Sequence, residues 1–201
     1  MAFLFRNCFS CIKMKKLFFL FCLCSTILTL AQTKSIVSSE IRWKGYKTLK
    51  AESLSHFGTI KLKSGNFIFK NNEIAGGNFT MDMMTMDAED LNDDPKMKKM
   101  FENHLKSDDF FDSKNFPVST FQIKSSKKLI NNSYLLNGVL TIKGISKNIS
   151  FPVKVSESSN ATTISSGTFT FNRKNFGLKY NIFEDMLISN DVEMSIKFIL
   201  K

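Results

Sequence analysis

Apolar and polar residues alternate along much of this chain. Between Ile149 and Val155 every second residue is isoleucine, phenylalanine or valine, and the same alternation runs from Val192 to Leu200. Successive side chains of a β-strand point to opposite faces of its sheet. Each run therefore predicts a strand with one apolar and one solvated face.

Less regular runs of the same kind predict further strands at 36–43, 46–52, 56–63, 66–70, 73–86, 118–125, 134–142 and 162–171. Turn-forming residues place the reversals between them at Ser64-Gly65, Asn71-Asn72, Asn131-Asn132 and Gly144. Pro152 interrupts one of the regular runs, and proline cannot donate a ladder hydrogen bond. We therefore expect its strand to lie at a sheet edge or to contain a bulge.

One segment has a helical period instead. Asp94 suits an N-cap and Pro95 suits the first helical position. Residues at three- and four-residue steps then form one face of the helix: Met97, Met100, Phe101, His104 and Leu105. This short amphipathic helix either covers one mouth of a closed sheet or packs on its outside. Eight or more strands, one helix and no repeating βαβ unit leave an all-β sandwich or barrel.

The first 31 residues are typical of an export signal. Met14-Lys15-Lys16 precede an apolar run at 17–30, which is short of the roughly 20 residues that a spanning helix needs. Thr29-Leu30-Ala31 offers small residues for cleavage after Ala31. We expect translation to start at Met14, with residues 1–13 added by an upstream start codon; a membrane anchor is the alternative. A single domain at 32–201 would then work in the periplasm or outside the cell.

Cysteine usage and charge narrow the classes of function. All four cysteines lie within the predicted signal, which leaves the domain without disulfides or thiolate sites. Removing the four basic residues of the signal from 28 leaves 24, which against 18 acidic residues is a net charge of +6. The lysines are scattered and only Arg42 and Arg173 remain as arginines, so we expect no nucleic-acid partner. A weak attraction to an anionic membrane surface and a homodimer both stay open.

Phenylalanine and methionine recur on the apolar faces of the predicted strands. The residues expected inside are Phe67, Phe69, Phe79, Met81, Met83, Phe121, Ile123, Leu140, Ile142, Phe169, Phe171, Met194 and Ile196. They either fill a core or line a cavity for an apolar chain. Phenylalanine would supply apolar area for such a chain, and methionine an adaptable surface.

Groups for catalysis or metal binding are scarce. His56 and His104 are the only histidines, and neither has the spacing of a metal site. The acidic residues between Asp82 and Asp94 lack the glycine and terminal glutamate of a calcium loop. No nucleophile, phosphate-binding or dinucleotide motif occurs in the domain. We predict no catalytic residue, metal or cofactor.

Several blocks of the chain resemble the YceI-like family, in the family's order. Two blocks are His104-Leu105-Lys106-Ser107-Asp108-Asp109-Phe110-Phe111-Asp112 and Asn115-Phe116-Pro117-Val118-Ser119-Thr120-Phe121. A third is Leu136-Asn137-Gly138-Val139-Leu140-Thr141-Ile142-Lys143-Gly144, followed by the strand at 149–155. Shorter matches are Trp43-Lys44-Gly45, His56-Phe57-Gly58 and Arg173-Lys174-Asn175-Phe176-Gly177-Leu178. The chain departs from the family at Phe101-Glu102-Asn103, where many members have an Arg-Asp pair.

The resemblance implies a lipocalin-like, eight-stranded antiparallel β-barrel whose tunnel holds a long polyisoprenoid chain. An eight-stranded barrel has room for about one small ligand unless side chains fill it. Our first hypothesis is an exported carrier of a polyisoprenoid or an isoprenoid-tailed quinone, with Trp43, His56 and Arg173 in contact with the ligand near the opening. For His56 the alternative is structural packing, and for Arg173 it is a structural bond to a turn carbonyl or an acid. The alternatives are a ligand-free barrel that acts as an interaction or envelope-stress module, and an enzyme acting on lipids or quinones.

Overall fold

The computed structural model describes residues 31–47, 55–179 and 187–201. The predicted signal and start, and most of the predicted strand at 46–52, lie outside these residues. From Ala31 to Lys201 the chain forms one compact unit. Its described strands are β1 (Gln32–Lys47), β2 (Ser55–Lys70), β3 (Glu73–Ala88), β4 (Val118–Lys128), β5 (Ser133–Ile142), β6 (Ile145–Glu157), β7 (Thr162–Ser166), β8 (Phe169–Asn172) and β9 (Ile188–Leu200).

The strands form one closed antiparallel sheet. Consecutive strands pair from β1 to β7, and β9 pairs with β7, β8 and β1. Since β7 and β8 pair with successive stretches of β9, they are two halves of one strand in the wall. The pairing of β1 with β9 closes an eight-stranded barrel, which confirms the predicted fold class and excludes the sandwich. Closure leaves few exposed strand edges.

Asparagine turns connect the strands at one end of the barrel. Asn71 and Asn72 join β2 to β3, and Asn131 and Asn132 lie between β4 and β5, all four with positive φ values between 52° and 61°. Two-residue turns of this kind match the twist of the flanking strands. The reversal predicted at Ser64-Gly65 is wrong, because β2 continues through it with a register shift between Leu62 and Ser64. A bulge therefore takes the place of the turn.

The edge predicted at Pro152 is confirmed for part of β6. This strand pairs with β5 from Ile145 to Lys154, but it pairs with β7 only from Val153 onward. Across the described residues, the 145–152 stretch has no strand paired on that side. The rings of Phe151 on β6 and Phe169 on β8 stack there, with centroids 4.0 Å apart.

The helix α1 (Pro95–Lys106) lies between β3 and β4. Its start is as predicted, because the Asp94 side chain accepts a hydrogen bond from the Met97 amide at 3.0 Å. The predicted inner face is partly wrong, since Met97 and Met100 are 48% and 58% exposed. The helix instead turns Phe101 and Leu105 inward, because Glu102 accepts the Ala88 amide at the end of β3. No helix in the described part of the chain is long and apolar enough to cross a membrane.

Candidate ligand-binding cavity

An apolar cavity of about 330 Å³ occupies the half of the barrel that lies under α1. The volume is within the range of about 300–1,000 Å³ that is usual for small-molecule sites. Fourteen of the sixteen predicted site residues line it: Trp43, His56, Phe67, Phe79, Met81, Met83, Phe121, Leu140, Ile142, Phe169, Phe171, Arg173, Met194 and Ile196. Whether these residues contact a ligand stays a prediction.

The other half of the barrel is filled. Phe69 and Ile123 are buried but lie outside the cavity lining, together with Ile74, Tyr134 and Leu200. Phe69 pairs with Ile74 beside the turn between β2 and β3, which places this packed region at the asparagine-turn end. Across the described residues, the cavity therefore ends at this packed region and is a blind pocket on the α1 side of the barrel, rather than a tunnel through it.

Phenylalanine rings form the wall and the floor of the cavity. The centroid of Phe79 lies 4.8 Å from that of Phe67 and 5.4 Å from that of Phe198, and these rings lie where the cavity meets the packed half. Phe121 continues the series toward Phe151 at 5.3 Å. Offset and edge-on contacts of this kind are the arrangements that aromatic rings prefer.

The helix and the loop after it cover the mouth. Phe101 and Leu105 of α1, and Phe110 and Phe111 of the loop, all line the cavity. Lys143 holds the loop to the turn between β5 and β6, because its Nζ donates to the carbonyls of Asp108 and Phe110, each at 3.0 Å. None of these four residues was predicted as a site residue. The signal was present, since Phe101 and Leu105 were on the predicted apolar face.

Arg173 is buried to 1% exposure at the cavity wall. Its Nη1 donates to the Leu178 carbonyl at 2.7 Å, its Nε to the Ser189 carbonyl at 3.0 Å and its Nη2 to the Ile188 carbonyl at 3.3 Å. The guanidinium thus ties the turn after β8 to the start of β9. The described geometry supports a structural role for this side chain.

Two further polar side chains of the lining are bonded within the wall. The indole N–H of Trp43 donates to the Thr59 carbonyl at 3.1 Å. The Tyr46 hydroxyl donates to Glu193 at 3.0 Å, and burial together with this bond raises the pKa of Tyr46 above its ordinary value. Both residues therefore present mainly their apolar ring surfaces to the cavity.

His56 lies at the mouth with its side chain 42% exposed. Its Nδ1 lies 2.7 Å from Oδ2 of Asp90, whose Oδ1 accepts the Phe57 amide at 2.9 Å. The imidazole also packs on the Phe101 ring of α1, with centroids 4.2 Å apart. The pairing of Asp90 with His56 was not predicted, because the strand that carries His56 and the turn before α1 are far apart in the chain.

His104 lies outside the cavity lining, beside the Phe110 ring. Within the described ranges, no group of three or more histidine, cysteine, aspartate or glutamate side chains could hold a metal ion. The acidic segment before α1 has other contacts. Its Asp94 caps the helix, and Asp87 forms an ion pair with Lys98.

Comparison with known proteins identifies the family. The family model described as YceI-like domain matches residues 29–200, whereas no curated protein matches the chain. BcnA of Burkholderia cenocepacia has a similar structure, with a TM-score of 0.67 at 20% identity, covering 81% of this chain and 96% of BcnA.

Two other solved structures share the fold. A polyisoprenoid binding domain from Saccharophagus degradans, implicated in plant cell wall breakdown, gives a TM-score of 0.59 at 10% identity, covering 86% of this chain and 99% of that domain. The YCEI protein of Campylobacter jejuni gives 0.55 at 22% identity, covering 71% and 84% respectively. With a family match along nearly the whole described barrel, this chain belongs to the YceI-like family.

Proposed function

We propose that this domain is exported and holds the tail of a polyisoprenoid or an isoprenoid-tailed quinone, without a chemical step. The observation that carries this proposal is the blind apolar cavity of about 330 Å³ beneath α1. The name of the Saccharophagus degradans domain, a polyisoprenoid binding domain, supports the same ligand class.

The lining suits a hydrocarbon chain for a physical reason. Burial of apolar surface contributes about 25 cal/mol per Å² and needs no particular direction of contact. An isoprenoid tail has no polar groups to satisfy, and Trp43, Tyr46 and Arg173 direct their donors to protein acceptors. A tail therefore enters without leaving these groups unbonded, which would cost free energy.

We also propose that the domain collects its ligand at an anionic membrane surface, through the outer face of α1. Met97 and Met100 are exposed there, beside the exposed Lys96 and Lys99. Apolar side chains flanked by lysines are typical of helices that lie in a bilayer interface. The cavity mouth lies beneath the same helix.

Mass spectrometry of the purified protein tests its export and its bound ligand together. The chain is expressed from Met14 in a bacterium, purified from the periplasm without detergent, weighed intact and extracted with organic solvent. We expect a mass that begins at Gln32 and one isoprenoid per protein. An empty protein that also takes up no added quinone or polyprenol would contradict the carrier and favour a ligand-free interaction or envelope-stress module.

A charge inside the cavity tests the site itself. Phe121→Glu or Leu140→Glu places a carboxylate in a mainly apolar lining, and burial of an unpaired charge is strongly unfavourable. We expect the extracted isoprenoid to disappear from the folded variants. Gln122→Glu is the matched control, because Gln122 is the exposed neighbour of Phe121 on β4. Unchanged lipid content in a variant with native circular dichroism would remove that residue from the site.

A further inference from the structure

His56, at the mouth of the cavity, has one ring nitrogen without a protein partner among the described residues. Most polar groups of the lining are bonded within the protein, as described for Trp43, Tyr46 and Arg173. His56 uses Nδ1 in its contact with Asp90. Across the described residues, His56 Nε2 has no hydrogen bond to protein.

The surroundings of Asp90 fix the tautomer of this histidine. An ionised carboxylate only accepts hydrogen bonds, and Asp90 accepts one from the Phe57 amide on Oδ1. The proton between Asp90 Oδ2 and His56 Nδ1 therefore belongs to the histidine. In a neutral imidazole one nitrogen donates and the other accepts, which makes Nε2 an acceptor.

Two contacts hold the ring in place. The 2.7 Å bond to Asp90, whose side chain is 13% exposed, fixes one edge of the imidazole. The Phe101 ring covers part of its surface. A histidine oriented by a carboxylate presents its second nitrogen in a constant position.

From this arrangement we propose that His56 Nε2 accepts a hydrogen bond from a hydroxyl on the ligand head group. The site then selects isoprenoid alcohols or quinols over ligands whose head groups can only accept hydrogen bonds. The inference rests on the proposed function, because it concerns the head of the molecule whose tail fills the cavity. A quinone carbonyl or an ether oxygen has no proton to offer Nε2. A hydroxyl head group has a proton to donate, and it lies at the mouth when the tail is buried in the cavity.

The experiment compares geranylgeraniol with its methyl ether, which has the same tail and no donor. Dissociation constants for both compounds are measured in the same buffer. We expect the native protein to bind the alcohol roughly five-fold more tightly, the effect of one net hydrogen bond. Equal affinities would overturn the inference and leave the carrier intact, whereas failure to bind either compound would overturn both.

Three variants distinguish His56 from other groups. In His56→Phe the alcohol loses its advantage and the ether is unaffected, because the acceptor is gone. In Asp90→Asn the amide nitrogen donates to Nδ1, the ring proton moves to Nε2, and the ether gains affinity because it now accepts from His56. Ser119→Ala, which removes the buried hydroxyl on the cavity wall, leaves the preference unchanged.

These variants also separate the inference from simple loss of structure. Asp90→Asn keeps the size of the side chain and its acceptor for the Phe57 amide. The expected result is a gain in affinity for the ether, which loss of structure would not produce. A preference that survives in both His56→Phe and Asp90→Asn, or one that disappears in Ser119→Ala, would contradict the assignment of Nε2.

Discussion

Gly138 shows how a single residue shapes the cavity. It faces inward on β5, and a Cβ atom at this position would lie 2.5 Å from the Phe121 ring and 2.5 Å from the Gln122 carbonyl oxygen. Real carbon atoms do not approach so closely, so only glycine allows the ring to lie on the backbone here. The position of Phe121 in the lining therefore depends on Gly138.

Replacement of this glycine by alanine is expected to destabilise the fold. Gly138→Ala must displace either the Phe121 ring or the β4 backbone, and overpacking of this kind costs about 1–3 kcal/mol. Urea denaturation measures the loss as a lower midpoint. Gly167→Ala is the matched control, because a Cβ there meets nothing within 4 Å. Equal midpoints for the two variants would show that the wall yields without strain.

Alternation predicts which side chains face the interior, but it does not predict their hydrogen-bond partners. The period of two predicted that Phe121 and Leu140 face the interior, and both line the cavity. It did not predict the partners of Arg173, whose guanidinium meets carbonyls of segments separated in the chain. A hydrogen-bond partner depends on the fold, which a local pattern does not contain.

Among the elements, α1 differs most from its predicted orientation. Its cap at Asp94 and its start at Pro95 follow from local chemistry and were predicted. Its rotation depends on distant groups, because Lys98 pairs with Asp87 and Glu102 accepts the Ala88 amide. These contacts leave Met97 and Met100 in solvent. β2 was predicted as two strands, but in the structure it is one strand that continues through a bulge. The bulge has no clear sequence signal.

The outward face of α1 can be tested for membrane contact. The double variant Met97→Glu/Met100→Glu removes two apolar side chains and adds two negative charges. A basic residue near an anionic bilayer contributes about 1 kcal/mol, so two added acidic residues should lower vesicle binding roughly ten-fold or more. Sedimentation with phosphatidylglycerol vesicles measures the bound fraction.

The matched control for this surface lies at the opposite end of the barrel. Leu129 and Ile130, beside the asparagine turn, are 39% and 82% exposed and follow two lysines. Leu129→Glu/Ile130→Glu adds the same charges to a similar patch. We expect its vesicle binding to stay at the native level. A loss in this variant, with none in the α1 variant, would place the membrane contact at the turn end.

At the scale of the whole molecule, the barrel is half filled and half empty. Alternation predicts that a side chain points inward, but it says nothing about how deep along the axis the side chain lies. Phe67 and Phe69 are both on the inner face of β2 and both buried. Only Phe67 lines the cavity, while Phe69 packs beyond it. Depth is set by strand register and barrel closure, which is why alternation could not separate Phe69 and Ile123 from the residues that line the cavity.

This division predicts that the floor determines the length of the bound tail. Phe67→Ala should deepen the cavity, so that the extracted isoprenoids shift to longer chains. The substitution should also lower the unfolding free energy of the empty protein by about 3–5 kcal/mol, the usual cost of removing a buried phenylalanine. Part of the loss should return when a tail fills the new space, because a ligand that binds only the folded state stabilises it.

Phe69→Ala separates the two effects. This substitution removes the same side chain one inward position further along β2, and its ring centroid lies 6.4 Å from that of Phe67. With Phe67 still in place, the new void is closed to the ligand. We expect a similar loss of stability, no change in the extracted chain lengths and no recovery on ligand binding. Chain lengths that move equally in both variants would mean that the ligand reaches the packed half, and the cavity would then be a tunnel.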